Sequence, residues 1–171
     1  KSLEIPQLQQ TQSHIRIWQM NNITTMDFPA LQQIGEDFMI SFCWKLEVVN
    51  VLELVGISED LELYVLHSLE TITFPLLMQV GEDLEIYTND ALINIRFASL
   101  TLIGEDLEVF DNSGLFELDQ ESFPNLAHVE EDFEVYVCAQ LKLLEVPKLV
   151  RIDEDFLLFG NPTLQAVELS S

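Results

Sequence analysis

A chain of 171 residues that is 48% apolar can bury one substantial core, which excludes general disorder. Its 30 acidic residues against 7 basic ones give a net charge of -23, which excludes nucleic acid and anionic membrane surfaces as partners and favours cationic or neutral ones. No apolar run is long enough to insert in a membrane, and Lys1 opens no basic region followed by an apolar segment, so neither a membrane span nor a retained signal peptide is expected.

In chain order the sequence repeats. The first row centres on His14, followed by Ile15 and Ile17, and the next six centre on Glu-Asp pairs: Glu36-Asp37, Glu59-Asp60, Glu82-Asp83, Glu105-Asp106, Glu131-Asp132 and Glu154-Asp155. The steps from His14 are 23, 23, 23, 23, 26 and 23 residues. A fixed period of this size predicts a solenoid, in which each repeat buries its apolar face by stacking on its neighbours. The seven rows, centred on 14, 37, 60, 83, 106, 132 and 155, form a single expected domain over residues 1–171.

Each row starts with two core positions. Six before the Asp stand Leu31, Leu54, Leu77, Leu100, Leu126 and Leu149, and three before it Ile34, Ile57, Val80, Ile103, Val129 and Ile152. Gly35, Gly81 and Gly104 lie two before the Asp, where a corner would favour permissive backbone; Pro29, Pro75, Pro124 and Pro147 lie eight before it and punctuate the coils. After the Asp, Phe38, Leu61, Leu84, Leu107, Phe133 and Phe156 alternate with Ile40, Leu63, Ile86, Val109, Val135 and Leu158, the period of two that marks a strand. Further on come a Leu column from Leu46 to Leu164 and a third inward column: Val49, Ile72, Ile95, Leu118, Leu144 and Val167. Three short strands per row, with no helical periodicity between them, predict an all-β, right-handed parallel β-helix of about seven 23-residue coils. The long step places one bulged corner at Asp119 to Ser122. Cys43 and Cys138 share a column but lie four coils apart, about 19 Å, too far to bridge, and read as buried filler.

The pattern Leu-x-x-Ile-Gly-x-Asp-Leu-x-Ile, an Asn such as Asn89, Asn112 or Asn161, and then Leu-x-x-Ile resembles the receptor L-domain, a β-helical relative of the leucine-rich repeats. The likeness runs from residue 3 to 169 and is strongest in Phe74 to Ile95. It implies a three-faced β-helix with one broad sheet for recognition and no catalysis. The chain lacks the disulfides and Cys-rich module of receptor lobes and carries one glycosylation sequon, Asn22-Ile-Thr24, which points toward a microbial surface or secreted relative. The 23-residue bacterial surface repeats are the nearer competitor, since ordinary leucine-rich repeats are shorter by one residue at two points.

Alternation sends three columns outward. They are His14 with Asp37, Asp60, Asp83, Asp106, Asp132 and Asp155; Arg16, Met39, Glu62, Glu85, Glu108, Glu134 and Leu157; and Trp18, Ser41, Tyr64, Tyr87, Phe110, Tyr136 and Phe159. Two readings of this face stay open. The rings stack as a structural ladder beside solubilising carboxylates, or Trp18, Tyr64, Tyr87, Phe110, Tyr136 and Phe159 with Glu62, Glu85, Glu108 and Glu134 form a binding platform. Carboxylates one coil apart repel by about 0.9 kcal/mol even in bulk water, which raises pKa values along the columns and makes Asp60, Asp83 and Asp106 candidate cation ligands. Calcium is the cation considered, although no calcium-binding loop motif is present; no other cofactor is expected. The carboxylates recur without a distinct pair, His67 and His128 fall outside the His14 column, and no nucleophile or zinc motif occurs, so no catalytic residue is expected and the chain is not read as an enzyme. The expected function is recognition or adhesion at the cell surface or after secretion, with a protein or glycan ligand. The alternative is a structural or self-assembling solenoid.

Overall fold

A computed structural model describes residues 1–169, and within them the chain forms strands and turns with no helix. All pairings are parallel, and they build the predicted solenoid. The broad face is a seven-stranded sheet of four-residue strands: Ile15–Trp18, Phe38–Ser41, Leu61–Tyr64, Leu84–Tyr87, Leu107–Phe110, Phe133–Tyr136 and Phe156–Phe159. A second seven-stranded sheet, of two-residue strands from Gln10–Thr11 to Arg151–Ile152, carries the column three before the Asp. The third face is split into sheets of three, two and three strands.

The inward columns read from the sequence are the core. Leu31, Leu54, Leu77, Leu100, Leu61, Leu84, Leu107, Ile40, Leu63, Ile86 and Val109 are all at most 1% exposed, in one continuous cluster. A further buried column went unread: Phe28, Val51, Phe74, Phe97, Phe123 and Val146, nine before the Asp. Phe74, Phe97 and Phe123 stack through the interior at centroid distances of 5.1 and 5.5 Å. Period-two alternation from Val49, Ile72, Ile95 and Leu144, each two residues earlier, points to it. Cys43 and Cys138 are buried and free; burial pushes both thiols up, Cys138 to about 11, so neither is a thiolate at neutral pH.

The glycines serve a different purpose from the one expected. Gly81 and Gly104 do not have positive φ; instead a Cβ on Gly104 would meet the Gly81 carbonyl oxygen at 2.0 Å, and one on Gly81 would meet that of Ser58 at 2.0 Å. They are required by close approach of successive coils. The left-handed corner lies five after the Asp, where Gln19, Phe42, Val65, Thr88, Asp111 and Val137 have φ between 50° and 58° and Gly160 has 68°. Each strand thereby turns sharply at its end. Left-handed φ costs an L-residue about 1–2 kcal/mol, and the N–H of each of the six non-glycine residues is held by the carbonyl one coil ahead, as Thr88 is by Phe110 at 3.3 Å.

The next position holds Asn in three coils, buried at Asn89 and Asn112 and part-buried at Asn161. Asn112 donates Nδ2–H to the Ile86 carbonyl at 2.7 Å and accepts the Asn89 N–H at 3.0 Å. Asn89 bridges Leu63 and Leu66 in the same way, and Asn161 bridges Val135 and Cys138. The bulged corner is also present and tied down: Arg96 reaches Asp119 with two nitrogens, at 3.1 and 3.2 Å, and the Ser122 hydroxyl at 3.2 Å. The third face breaks next to it, between Asn94–Arg96 and Glu117–Leu118.

Two truncations separate apolar packing from polar satisfaction. Leu107→Ala should cost about 2–5 kcal/mol in urea unfolding, the range for buried Leu, and a loss under about 0.5 kcal/mol would place Leu107 at the surface. Asn112→Ala should cost about 1–3 kcal/mol for each of the two backbone groups it strands, which a stability unchanged within error would refute.

Candidate recognition face

On the four-residue strands the second and fourth residues point outward, and parallel register sets each on its counterpart. Glu62, Glu85, Glu108 and Glu134 form one file, and Tyr64, Tyr87, Phe110, Tyr136 and Phe159 the next. The five rings stack face to face, with centroids 4.6, 4.6, 4.5 and 4.8 Å apart and planes within 8° of parallel. Neighbouring coils cover most of each inner ring, so the ladder is half-buried along its length and open at Phe159, 53% exposed. Trp18, 55% exposed, shares the column but stacks on no ring among the described residues, because Ser41 stands between it and Tyr64.

The Glu file cannot stay fully charged. Burial, then the charges of Glu108 and Glu62 and a hydrogen bond shared with Glu108, push Glu85 up to about 8. Burial is also the main cause raising Glu62 and Glu134, followed by Asp60 for the first and Glu108 for the second. Tyr136 donates its hydroxyl to Glu108 at 3.5 Å, and burial with the Glu108 charge moves Tyr136 up to about 12.

The Asp column is not the free outer file that alternation suggested. It sits at the corner before the strand, where each carboxylate reaches the backbone of the next coil: Asp60 accepts the Asp83 N–H at 3.1 Å, Asp83 that of Asp106 at 2.9 Å, Asp106 that of Asp132 at 2.8 Å, and Asp132 that of Asp155 at 2.7 Å. Asp83 is raised by burial, against which the Asp106 N–H acts. The candidate ligands Asp60, Asp83 and Asp106 therefore each have one oxygen committed to the backbone. Three metal-ligating types converge elsewhere, at His14, Asp37 and Glu59, with ligand atoms within 4.8 Å. There the Arg16 guanidinium already pairs with Asp37, which is 5% exposed. Burial acts to raise Asp37, but the bonds from Arg16 and Glu59 outweigh it and hold Asp37 below the usual carboxylate range. A metal would have to displace Arg16.

His67 lies on another surface, paired with Asp90 at 2.9 Å beside an open groove of about 510 Å³, and His128 pairs with Asp153 at 3.2 Å. A second cavity, of about 340 Å³, opens on the broad face where the aromatic column is interrupted. Its wall includes Phe42, which strand alternation did not assign to the face; the left-handed corner turns its ring to lie 5.7 Å from Tyr64 at 82°.

Glu85, Glu62, Glu134 and Asp83 all titrate above their unfolded values, so protonation favours the folded state. For Glu85 the stabilising contribution is full below about pH 4.3, its unfolded value, and is lost as pH rises through the folded value of about 8. Asp37 works oppositely, its contribution being lost as pH falls below about 4. Thermal unfolding should therefore show a higher Tm at pH 5 than at pH 8. Glu85→Gln should raise Tm by about 2 °C or more at pH 8, with little change at pH 5. Equal Tm values at the two pH values for the wild type would show that the file is ionised and tolerated.

Compared with profiles of known families, with curated proteins and with solved structures, the chain matches none.

Proposed function

We propose that the chain is a non-catalytic recognition module of a cell-surface or secreted protein, binding a cationic or neutral protein or glycan on the outer face of the broad sheet. The observation that carries this reading is the rigid file of five stacked rings from Tyr64 to Phe159, set beside the file of carboxylates from Glu62 to Glu134. Rings already fixed by their neighbours lose little freedom on binding, and aromatic groups dominate interface energetics. With its one proton shared between them, the Glu85–Glu108 pair presents its remaining oxygens as acceptors to a polar ligand.

The resemblance to the receptor L-domain belongs to the same reading, since it implies recognition on the broad sheet. The exposed sequon residue Asn22 fits a surface location. Paired carboxylates such as Glu85 and Glu108 invite comparison with glycosidases, whose two carboxylates flank the scissile bond. Here they share a hydrogen bond on a sheet face, and the cavities of about 340 and 510 Å³ are lined by other residues.

The test is an array of glycans and extracellular proteins probed with wild type and with the Tyr87→Ala, Phe110→Ala double variant. A binder of the wild type should lose at least about 30-fold in affinity, as removal of aromatic anchors does. Stability should fall by only about 0.5–1.5 kcal/mol for each stacked ring pair broken, in addition to the effect of the smaller buried area. Undiminished affinity together with a steep fall in Tm would show that the ladder is structural alone.

A further inference from the structure

The third face is broken twice, and only one break is closed by the chain itself. Between Asn94–Arg96 and Glu117–Leu118 the Arg96 guanidinium occupies the opening: it donates to the Ile95 carbonyl at 2.9 Å, to both oxygens of Asp119 and to the Ser122 hydroxyl. Between Val48–Asn50 and Thr71–Thr73 no side-chain hydrogen bond or ion pair of the described residues crosses. The backbone is stranded there too. The Thr24 carbonyl accepts the N–H groups of Glu47 and Val48 at 2.9 and 3.1 Å, and the Glu70 carbonyl those of Ile93 and Asn94 at 2.9 and 3.1 Å, but among the described residues the Glu47 carbonyl accepts no backbone N–H. Phe28 and Phe74 each donate to the coil ahead at 2.9 Å, and Val51 does not; beyond the break the coils rejoin where Met78 donates to Val55 at 2.8 Å. A cavity of about 220 Å³ occupies the opening, with Glu47, Val49, Asn50, Leu52, Thr71 and Thr73 in its lining, and Glu47 also lines the groove of about 510 Å³ together with Glu70.

We propose that this open break binds an arginine side chain presented by a partner protein. The closed break shows which group suits such an opening, since one planar guanidinium meets a backbone carbonyl and a carboxylate at once. Val49 stands in the same inward column as Ile95, and its strand has no neighbour on the side of the break. Glu47 and Glu70 take the part of Asp119: both are exposed, and among the described residues neither has an ion-pair partner, whereas Asp90 nearby is held by His67. Lysine brings a single point charge without the fork that spans both kinds of acceptor. The site lies away from the broad sheet, so it does not rest on the recognition reading of that face.

The probe is N-acetyl-arginine amide, titrated into the full chain at pH 7 and about 150 mM salt while the Thr71 amide is followed by NMR. Saturable shifts in the range of about 1–10 mM are expected for a ligand of this size. The lysine counterpart keeps the charge and the citrulline counterpart the shape; each should bind at least about fivefold more weakly. Glu47→Gln with Glu70→Gln alters exposed side chains only and should weaken the arginine probe at least about tenfold. Asn50→Arg supplies the guanidinium from within, in the column of Arg96, and should abolish the shifts; if it fails to fold, the glutamine pair decides. Without ligand, the Thr71 N–H should exchange with solvent at least about tenfold faster than the Asn94 N–H, its counterpart bonded to Glu70.

Equal exchange at Thr71 and Asn94 would show the ladder closed in solution and overturn the inference. Equal binding of the lysine or citrulline probe, wild-type affinity in the glutamine pair, or no shift with arginine would do the same. The Tyr87→Ala, Phe110→Ala variant should bind the probe as the wild type does, and loss of binding there would assign arginine to the broad face instead.

Discussion

Every strand pairing in this molecule joins one coil to the next, so a residue's nearest neighbour along a sheet is its own counterpart about 4.8 Å away. The fold is thus a test of self-complementarity applied to each position of the repeat. Leu on Leu, ring on ring and amide on amide pass it, because dispersion, stacking and donor-acceptor pairing are all satisfied by identical groups. Carboxylate on carboxylate does not. The chemistry of the exposed face is the set of devices by which two acidic files are made to stack.

The two files use different devices because of where they leave the backbone. An Asp at the corner is short and stands below an N–H that it can reach, so Asp60 through Asp132 each accept a backbone proton from the coil ahead. The Glu residues lie within strands, where inter-coil pairing already occupies the N–H groups. There burial first, and then the like charges of Glu108 and Glu62, push Glu85 up to about 8 and favour its protonated form.

The coils were legible because period and alternation are enforced at every level: the 23-residue spacing, the Leu and Ile columns and the outward ring column all follow from Asp-anchored alignment. The left-handed corner was not legible. Gln19, Phe42, Val65, Thr88, Asp111 and Val137 share no chemistry, and β-branched Val65 and Val137 argue against positive φ; only Gly160 carries the expected signal. The path of the coil imposes that conformation, and the inter-coil contacts sustain its cost. The same missed corner hid Phe42 from the candidate site. The Asn column was legible only as part of the repeat pattern; the structure shows Asn89 and Asn112 buried, their side chains serving as backbone partners across the corner. The Asp column was misplaced for a related reason, since alternation was extended one residue beyond the strand.

A perfectly periodic face has a weakness as a recognition surface. A partner sliding by one coil, about 4.8 Å, meets the same Glu and the same ring, so contacts with the ladder alone supply affinity without register. The first two coils break that degeneracy in all three files together: His14 replaces Asp, Arg16 and Met39 replace Glu, and Ser41 replaces a ring. Charge is partly compensated there, since Arg16 pairs with Asp37, whereas among the described residues no cation pairs with the acidic files of the later coils. The same substitutions open a cavity in an otherwise continuous face. The departure from the repeat is therefore where this face acquires a local shape of its own, and the regular coils supply the rigid frame around it.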